Sequence, residues 1–157
     1  GAVKINKEVF KIVDIITDVI RVTKPLAQKK ELNFIINNQT TDYQKISTDR
    51  YKLYRLLKHV ITNAIKFTTK GHVKFTCFTE SHELIFVIED TGTGIEEALL
   101  ENIYEPYKQF GSDEFHNAGG TGVGLSLVKA YINLLGGHIS IESVINTGTK
   151  VKLSIPL

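Results

Sequence analysis

Apolar positions recur at helical spacing near the start of the chain. Val9, Ile12, Val13, Ile16, Val19, Ile20 and Thr23 share a face and predict a first helix from about Lys7 to past Lys24. Pro25 is where that helix would kink or end. The polar stretch from Asn37 to Gln44 reads as loop, after which Thr48 or Asp49 can cap a second helix. Its apolar stripe is Leu53, Leu56, Leu57, Val60, Ala64 and Phe67. Val73 to Phe78 and Leu84 to Glu89 read as one hairpin, Ile139 to Val144 and Lys150 to Ile155 as another. Between the hairpins lie a long irregular stretch and a third helix, from about Gly122 to Leu135, closed by Gly136-Gly137. Helices and mostly antiparallel strands are segregated along the chain. That predicts an α/β (α+β) two-layer sandwich with the helices on one face of the sheet.

Composition narrows the function classes. The 157 residues suffice for one domain, residues 1–157, and 42% hydrophobic with 23% charged residues is ordinary for a globular protein. The net charge of +2 comes from interspersed signs instead of a basic stripe, so no nucleic-acid partner is expected. Cys77 is the only cysteine, which rules out an intrachain disulfide and suits a buried thiol in a reducing compartment. No apolar run approaches the roughly 18 residues of a membrane helix, so no membrane contact is expected of this domain. The absence of methionine and the initial Gly1 suggest a piece of a longer protein.

Three clusters carry candidate chemistry. On the second helix Arg55, His59, Asn63 and Lys66 fall within about 80° of one another beside the apolar stripe. Four polar residues alone describe a solvated face, but asparagine is a poor interior helix residue and its position calls for a reward. An amide oxygen can ligate Mg²⁺, and Lys66 can supply charge to the same phosphates. Asp90 ends an apolar strand just before a turn. It reads either as a simple turn initiator or as a carboxylate accepting a hydrogen bond from an exocyclic amino group such as that of adenine, with Gly92 and Gly94 giving the base room. Gly119 to Leu125 opens the third helix, where free amides and the positive dipole end favour an anion. The dinucleotide fingerprint does not apply, because no strand precedes these glycines, and no P-loop occurs. Together they make a nucleotide site.

In order, Asn63-Ala-Ile-Lys66-Phe67-Thr68, Asp90-Thr-Gly92-Thr-Gly94-Ile95, Ile103-Tyr104-Glu105-Pro106-Tyr107 and Gly120-Thr121-Gly122-Val123-Gly124-Leu125 resemble the N, G1, F and G2 boxes of sensor histidine kinases. Gly148-Thr149 resembles the last glycine box, so the likeness covers nearly the whole chain. The resemblance implies the ATP-binding catalytic (HATPase_c) domain of a two-component kinase, with the Bergerat fold shared with gyrase and MutL: a mixed sheet under three helices. It implies ATP and Mg²⁺ as ligands, Asn63 as the metal ligand, Lys66 on the phosphates and Asp90 reading the adenine amino group. Gly92, Gly94 and Ile95 would lie beside the base, and Thr149 would reach it through water. Gly120, Thr121, Gly122, Val123, Gly124 and Leu125 would form the phosphate-binding helix start, and residues 104–118 the ATP lid, with Lys108 in contact with ATP.

Three departures from the family pattern stand out. His59 occupies the place of the first asparagine of the N box, where related ATPases carry a glutamate base; it either orients phosphate as a catalytic group or marks weakened catalysis. Lys108-Gln109 replace an aromatic-plus-arginine pair, and Tyr104 and Tyr107 replace phenylalanines. The five histidines show no phosphoacceptor motif, so the dimerisation and phosphoacceptor domain is expected elsewhere in the parent protein, as is a downstream response regulator or receiver domain. Placement would be cytoplasmic, whether or not the parent is anchored in the cell membrane. A non-catalytic nucleotide-binding module and a Bergerat-fold ATPase remain alternatives, the second disfavoured by the lack of glutamate at position 59.

Overall fold

The computed structural model describes residues 4–95 and 122–157. Along the chain these form β1 (Glu8–Lys11), α1 (Ile12–Lys29), β2 (Asn33–Asn38), β3 (Lys45–Thr48), α2 (Arg50–Phe67), β4 (His72–Glu80), β5 (Glu83–Asp90), α3 (Gly122–Leu134), β6 (His138–Val144) and β7 (Gly148–Pro156). One five-stranded sheet has the order β2-β4-β5-β7-β6, with β2 parallel to β4 and the other pairs antiparallel; β1 and β3 make a separate two-stranded ribbon. Among the described residues, the expected mixed, mostly antiparallel sheet with three helices is what forms.

Alternation explains the layers. Val73, Phe75 and Cys77 of β4 and Leu84, Phe86 and Ile88 of β5 point inward, and the rings of Phe75 and Phe86 lie 5.8 Å apart. Against them pack Ile12, Ile15, Ile16 and Val19 of α1, Leu53, Leu57, Val60, Ile61 and Ile65 of α2, and Val128 and Ile132 of α3. Cys77 is buried as expected, and desolvation pushes its thiol pKa up to about 12, so it is inert packing.

The chain start departs from the helical expectation. Residues 8–11 pair with β3, Phe10 is buried and Val9 is 67% exposed, so α1 begins at Ile12 and not near Lys7. The spacing of Val9, Ile12 and Val13 imitates a helix face, but the N–H of Ile12 is held by the Gln44 carbonyl at 2.9 Å, a tertiary contact. Pro25 does not end the helix: α1 continues to Lys29, and the proline sits on the exposed face, where an unbonded carbonyl meets water. β2 and β3 lie partly in segments read as loop or left unassigned. β2 is a six-residue edge strand and β3 only four residues long, and both owe their form to partners distant in sequence.

α2 is fixed at both ends. Asp49 caps it: Oδ1 accepts from the Lys52 amide at 3.0 Å, while Oδ2 accepts from the Asn6 amide at 2.9 Å and from Lys52 Nζ at 3.1 Å. At the far end Lys30 Nζ donates to the carbonyls of Ile65 (2.7 Å) and Lys66 (3.1 Å), groups a helix leaves unbonded. Among the described residues no helix is long and apolar enough to cross a membrane.

Candidate functional site

Asp90 ends β5 at the point where the chain leaves the sheet under the last turn of α2. Its Oδ1 accepts both the Gly92 amide (2.8 Å) and the Thr149 amide (3.3 Å). Oδ2 takes neither bond and has no hydrogen-bond partner among the described residues. Burial raises the pKa of this carboxyl, while the two amides and nearby His72 pull it down. A half-buried carboxylate with one oxygen anchored and the other free is built to accept a hydrogen bond.

The loop after Asp90 is pinned on two sides. The Thr93 amide donates to the Phe67 carbonyl at 3.2 Å, seating the loop on the C-terminus of α2, and the Asn146 amide donates to the Thr93 carbonyl at 2.6 Å from the β6–β7 turn. Gly94 adopts φ +73°, and a Cβ there would overlap the Val144 carbonyl oxygen, so both conformation and space demand glycine. A Cβ on Gly148 would overlap the Asp90 carbonyl oxygen in the same way.

On α2 the predicted stripe divides. Arg55 does not face a ligand: its Nη1 donates to the Tyr131 hydroxyl at 3.1 Å, and the guanidinium lies 5.6 Å from the Tyr131 ring and 5.8 Å from that of Tyr51. It clasps α2 to α3. His59 is half-buried; burial lowers its pKa, and Arg55 and Lys58 add repulsion, so the imidazole is neutral at pH 7. Asn63 is half-buried with no hydrogen-bond partner among the described residues, and Lys66 is exposed. The amide oxygen of Asn63 is thus free to act as a metal ligand, and its chemistry fits Mg²⁺. Thr62, which sequence reasoning passed over, has its Oγ1 buried without a partner.

Two contacts orient α3. Its C-terminal end lies over the end of β7, with Gly136 beside Pro156 and Gly137 beside Ser154, whereas Thr149 at the other end of β7 pairs with Asp90. The C-terminus of α2 lies at the Asp90 end and Arg55, far from it, meets Tyr131 near the end of α3, so the two helices run antiparallel. From Arg55 to Asn63 and from Tyr131 back to Val123 are each eight residues, about 12 Å of helix. The start of α3 therefore lies toward the Asn63 end of α2, the end of the molecule that holds Asp90 and Thr149. Lys108, Gly120, Thr121 and the lid at 104–118 lie outside the described residues.

Ser143 joins this group with no signal in the sequence to mark it. Its hydroxyl accepts the Ile95 amide at 2.7 Å and lies 2.8 Å from Thr149 Oγ1. Only the pairing of β6 with β7 brings it there. Among the described residues no cluster of His, Cys, Asp and Glu is arranged to hold a metal.

Residues 48–157 match the family described as histidine kinase-, DNA gyrase B-, and HSP90-like ATPase, and the chain belongs to that family. Among its relatives, the autoinducer 2 sensor kinase/phosphatase LuxQ of Vibrio vulnificus is 34% identical over 163 residues, spanning 100% of this chain and 19% of that protein. The histidine protein kinase DivJ of Caulobacter vibrioides is 40% identical over 114 residues, 72% of this chain and 19% of DivJ. The catalytic domain of histidine kinase ThkA superposes with a TM-score of 0.79 at 24% identity, over 98% of this chain and 96% of that one. Full-length ShkA in complex with AMPPNP gives a TM-score of 0.83 at 22% identity, over 99% of this chain and 32% of that one. The chain spans 19% of the length of the sensor kinases LuxQ and DivJ, and it is an ATP-binding catalytic domain of the histidine-kinase kind.

Proposed function

We propose that this domain binds ATP with Mg²⁺ and transfers the γ-phosphoryl group to a histidine on an adjacent dimerisation and phosphoacceptor domain of the same parent protein. From there the group passes to a response regulator or receiver domain, in the cytoplasm, whether or not the parent is anchored in a membrane. The observation that carries the reading is Asp90: Oδ1 held by two backbone amides, Oδ2 open to the adenine amino group. Phosphoryl transfer depends chiefly on positioning and on stabilising charge. Gly92, Gly94, Ile95 and Thr149 would shape the adenine end of the pocket. Gly120, Thr121, Gly122, Val123, Gly124 and Leu125 would cradle phosphates at the start of α3, with Lys66 and Lys108 adding positive charge. Asn63 would hold Mg²⁺, which when bound neutralises phosphate charge. His59, neutral at pH 7, can accept a hydrogen bond and orient the acceptor group or a water beside the phosphates.

Calorimetric titration with AMPPNP, with and without Mg²⁺, tests the binding half. The expected result is metal-enhanced binding that falls at least about tenfold in Asn63→Ala, the loss of one charge-assisted ligand. Labelled ATP with the phosphoacceptor domain supplied in trans tests the transfer half, and label should appear on that domain's histidine. Binding indifferent both to Mg²⁺ and to Asn63→Ala, or absence of transfer, refutes the proposal.

A further inference from the structure

One hydroxyl links the loop after β5 to the last two strands. Ser143 Oγ accepts the Ile95 amide at 2.7 Å, lies 3.0 Å from the Gly148 carbonyl oxygen and 2.8 Å from Thr149 Oγ1. A serine hydroxyl has one proton to donate and two lone pairs with which to accept. The Ile95 amide can only donate and the Gly148 carbonyl can only accept. All three contacts are hydrogen bonds at once in a single arrangement: Ser143 donates to Gly148, and Thr149 donates to Ser143. The Thr149 oxygen then has only lone pairs left to offer. Its backbone amide is meanwhile committed to Asp90 Oδ1, whose companion Oδ2 is also an acceptor.

We infer that Ser143 is a positioning residue: by taking the Thr149 proton it sets that hydroxyl as an acceptor, and so favours a purine carrying an amino group at C6 over one carrying a carbonyl there. The inference rests on the reading of Asp90 as the adenine contact. Donation then runs one way, from the base amino group in direct contact with Thr149, to Ser143 and to the Gly148 carbonyl. A 6-oxo purine meets Asp90 and Thr149 as acceptor against acceptor, a mismatch that costs affinity because polar groups covered by the base are left unpaired.

The test compares dissociation constants for ATP and inosine triphosphate, both with Mg²⁺, on the 157-residue chain. The wild type should prefer ATP. In Ser143→Ala the Thr149 proton is free to turn toward the ligand, and the preference should shrink about fivefold, the worth of one net hydrogen bond. Ser143→Thr, which retains the hydroxyl, should restore it. Thr149→Val should shrink the preference equally, with no further loss in the double variant, and it carries the test should Ser143→Ala fail to fold. Equal weakening of both nucleotides in Ser143→Ala, or an unchanged preference in Thr149→Val, overturns the inference and leaves Ser143 as a mere anchor for Ile95. A wild type that binds both nucleotides equally well overturns it while sparing the ATP site, whereas one that binds neither refutes the ATP site itself.

Discussion

In the proposed site Asp90 sets ligand binding against stability in one side chain. Burial is the largest influence on it and raises its folded pKa above the ordinary 3.8. Protonation therefore favours the fold: the contribution is present below the unfolded value and is lost as pH rises through the raised folded value. At neutral pH the charged form costs stability. In Asp90→Asn the amide oxygen can keep the bonds from Gly92 and Thr149, while the NH₂ replaces Oδ2 and opposes the adenine amino group. The expected outcome is a higher melting temperature without ligand at pH 7, a difference that vanishes below about pH 4, and more than tenfold weaker ATP binding. A variant that melts lower at pH 7 contradicts the account. The motif order pointed to Asp90 and Asn63 by residue type alone; that one oxygen of Asp90 is anchored and the other free is visible only in three dimensions.

α2 shows how an element depends on its ends. Asp49 and Lys52 are 3% and 8% exposed, so the cap is also a buried ion pair. Burial of Asp49 works to raise its pKa, but the Asn6 and Lys52 amides and the Lys52 ammonium outweigh it and hold the carboxyl below 3.8. Its stabilisation is present above the unfolded value and lost as pH falls through the folded one. Asp49→Ala should cost about 3 kcal/mol in urea unfolding, since it removes the cap and leaves the Lys52 ammonium unpaired; Asp49→Asn, which can still cap, should cost less. Equal costs would remove the ion pair from the explanation. The cap and the apolar stripe of α2 were legible because both are local patterns. The strand at residues 8–11 was not, because its pairing with Lys45–Thr48 lies more than thirty residues away.

At the scale of the molecule, the candidate site is built where the C-terminus of α2, the loop after β5 and the β6–β7 turn meet at one end of the sheet. Gly94 is a close joint between two of these parts. Gly94→Ala should cost about 1–3 kcal/mol of stability through its positive φ and the clash with the Val144 carbonyl. It should also weaken AMPPNP binding more than about tenfold, as the loop moves off the turn. Unchanged binding would show that the loop tolerates displacement. The sequence by itself determined the amphipathic helices, the two hairpins and the order of the chemistry-bearing motifs, since each depends on residues within a turn or two of one another. Only the tertiary structure decided that Arg55 clasps Tyr131 instead of a ligand, that β2 joins the sheet in parallel, and that Ser143 reaches Thr149 and Ile95. Those outcomes turn on contacts between distant segments, which side-chain periodicity does not encode.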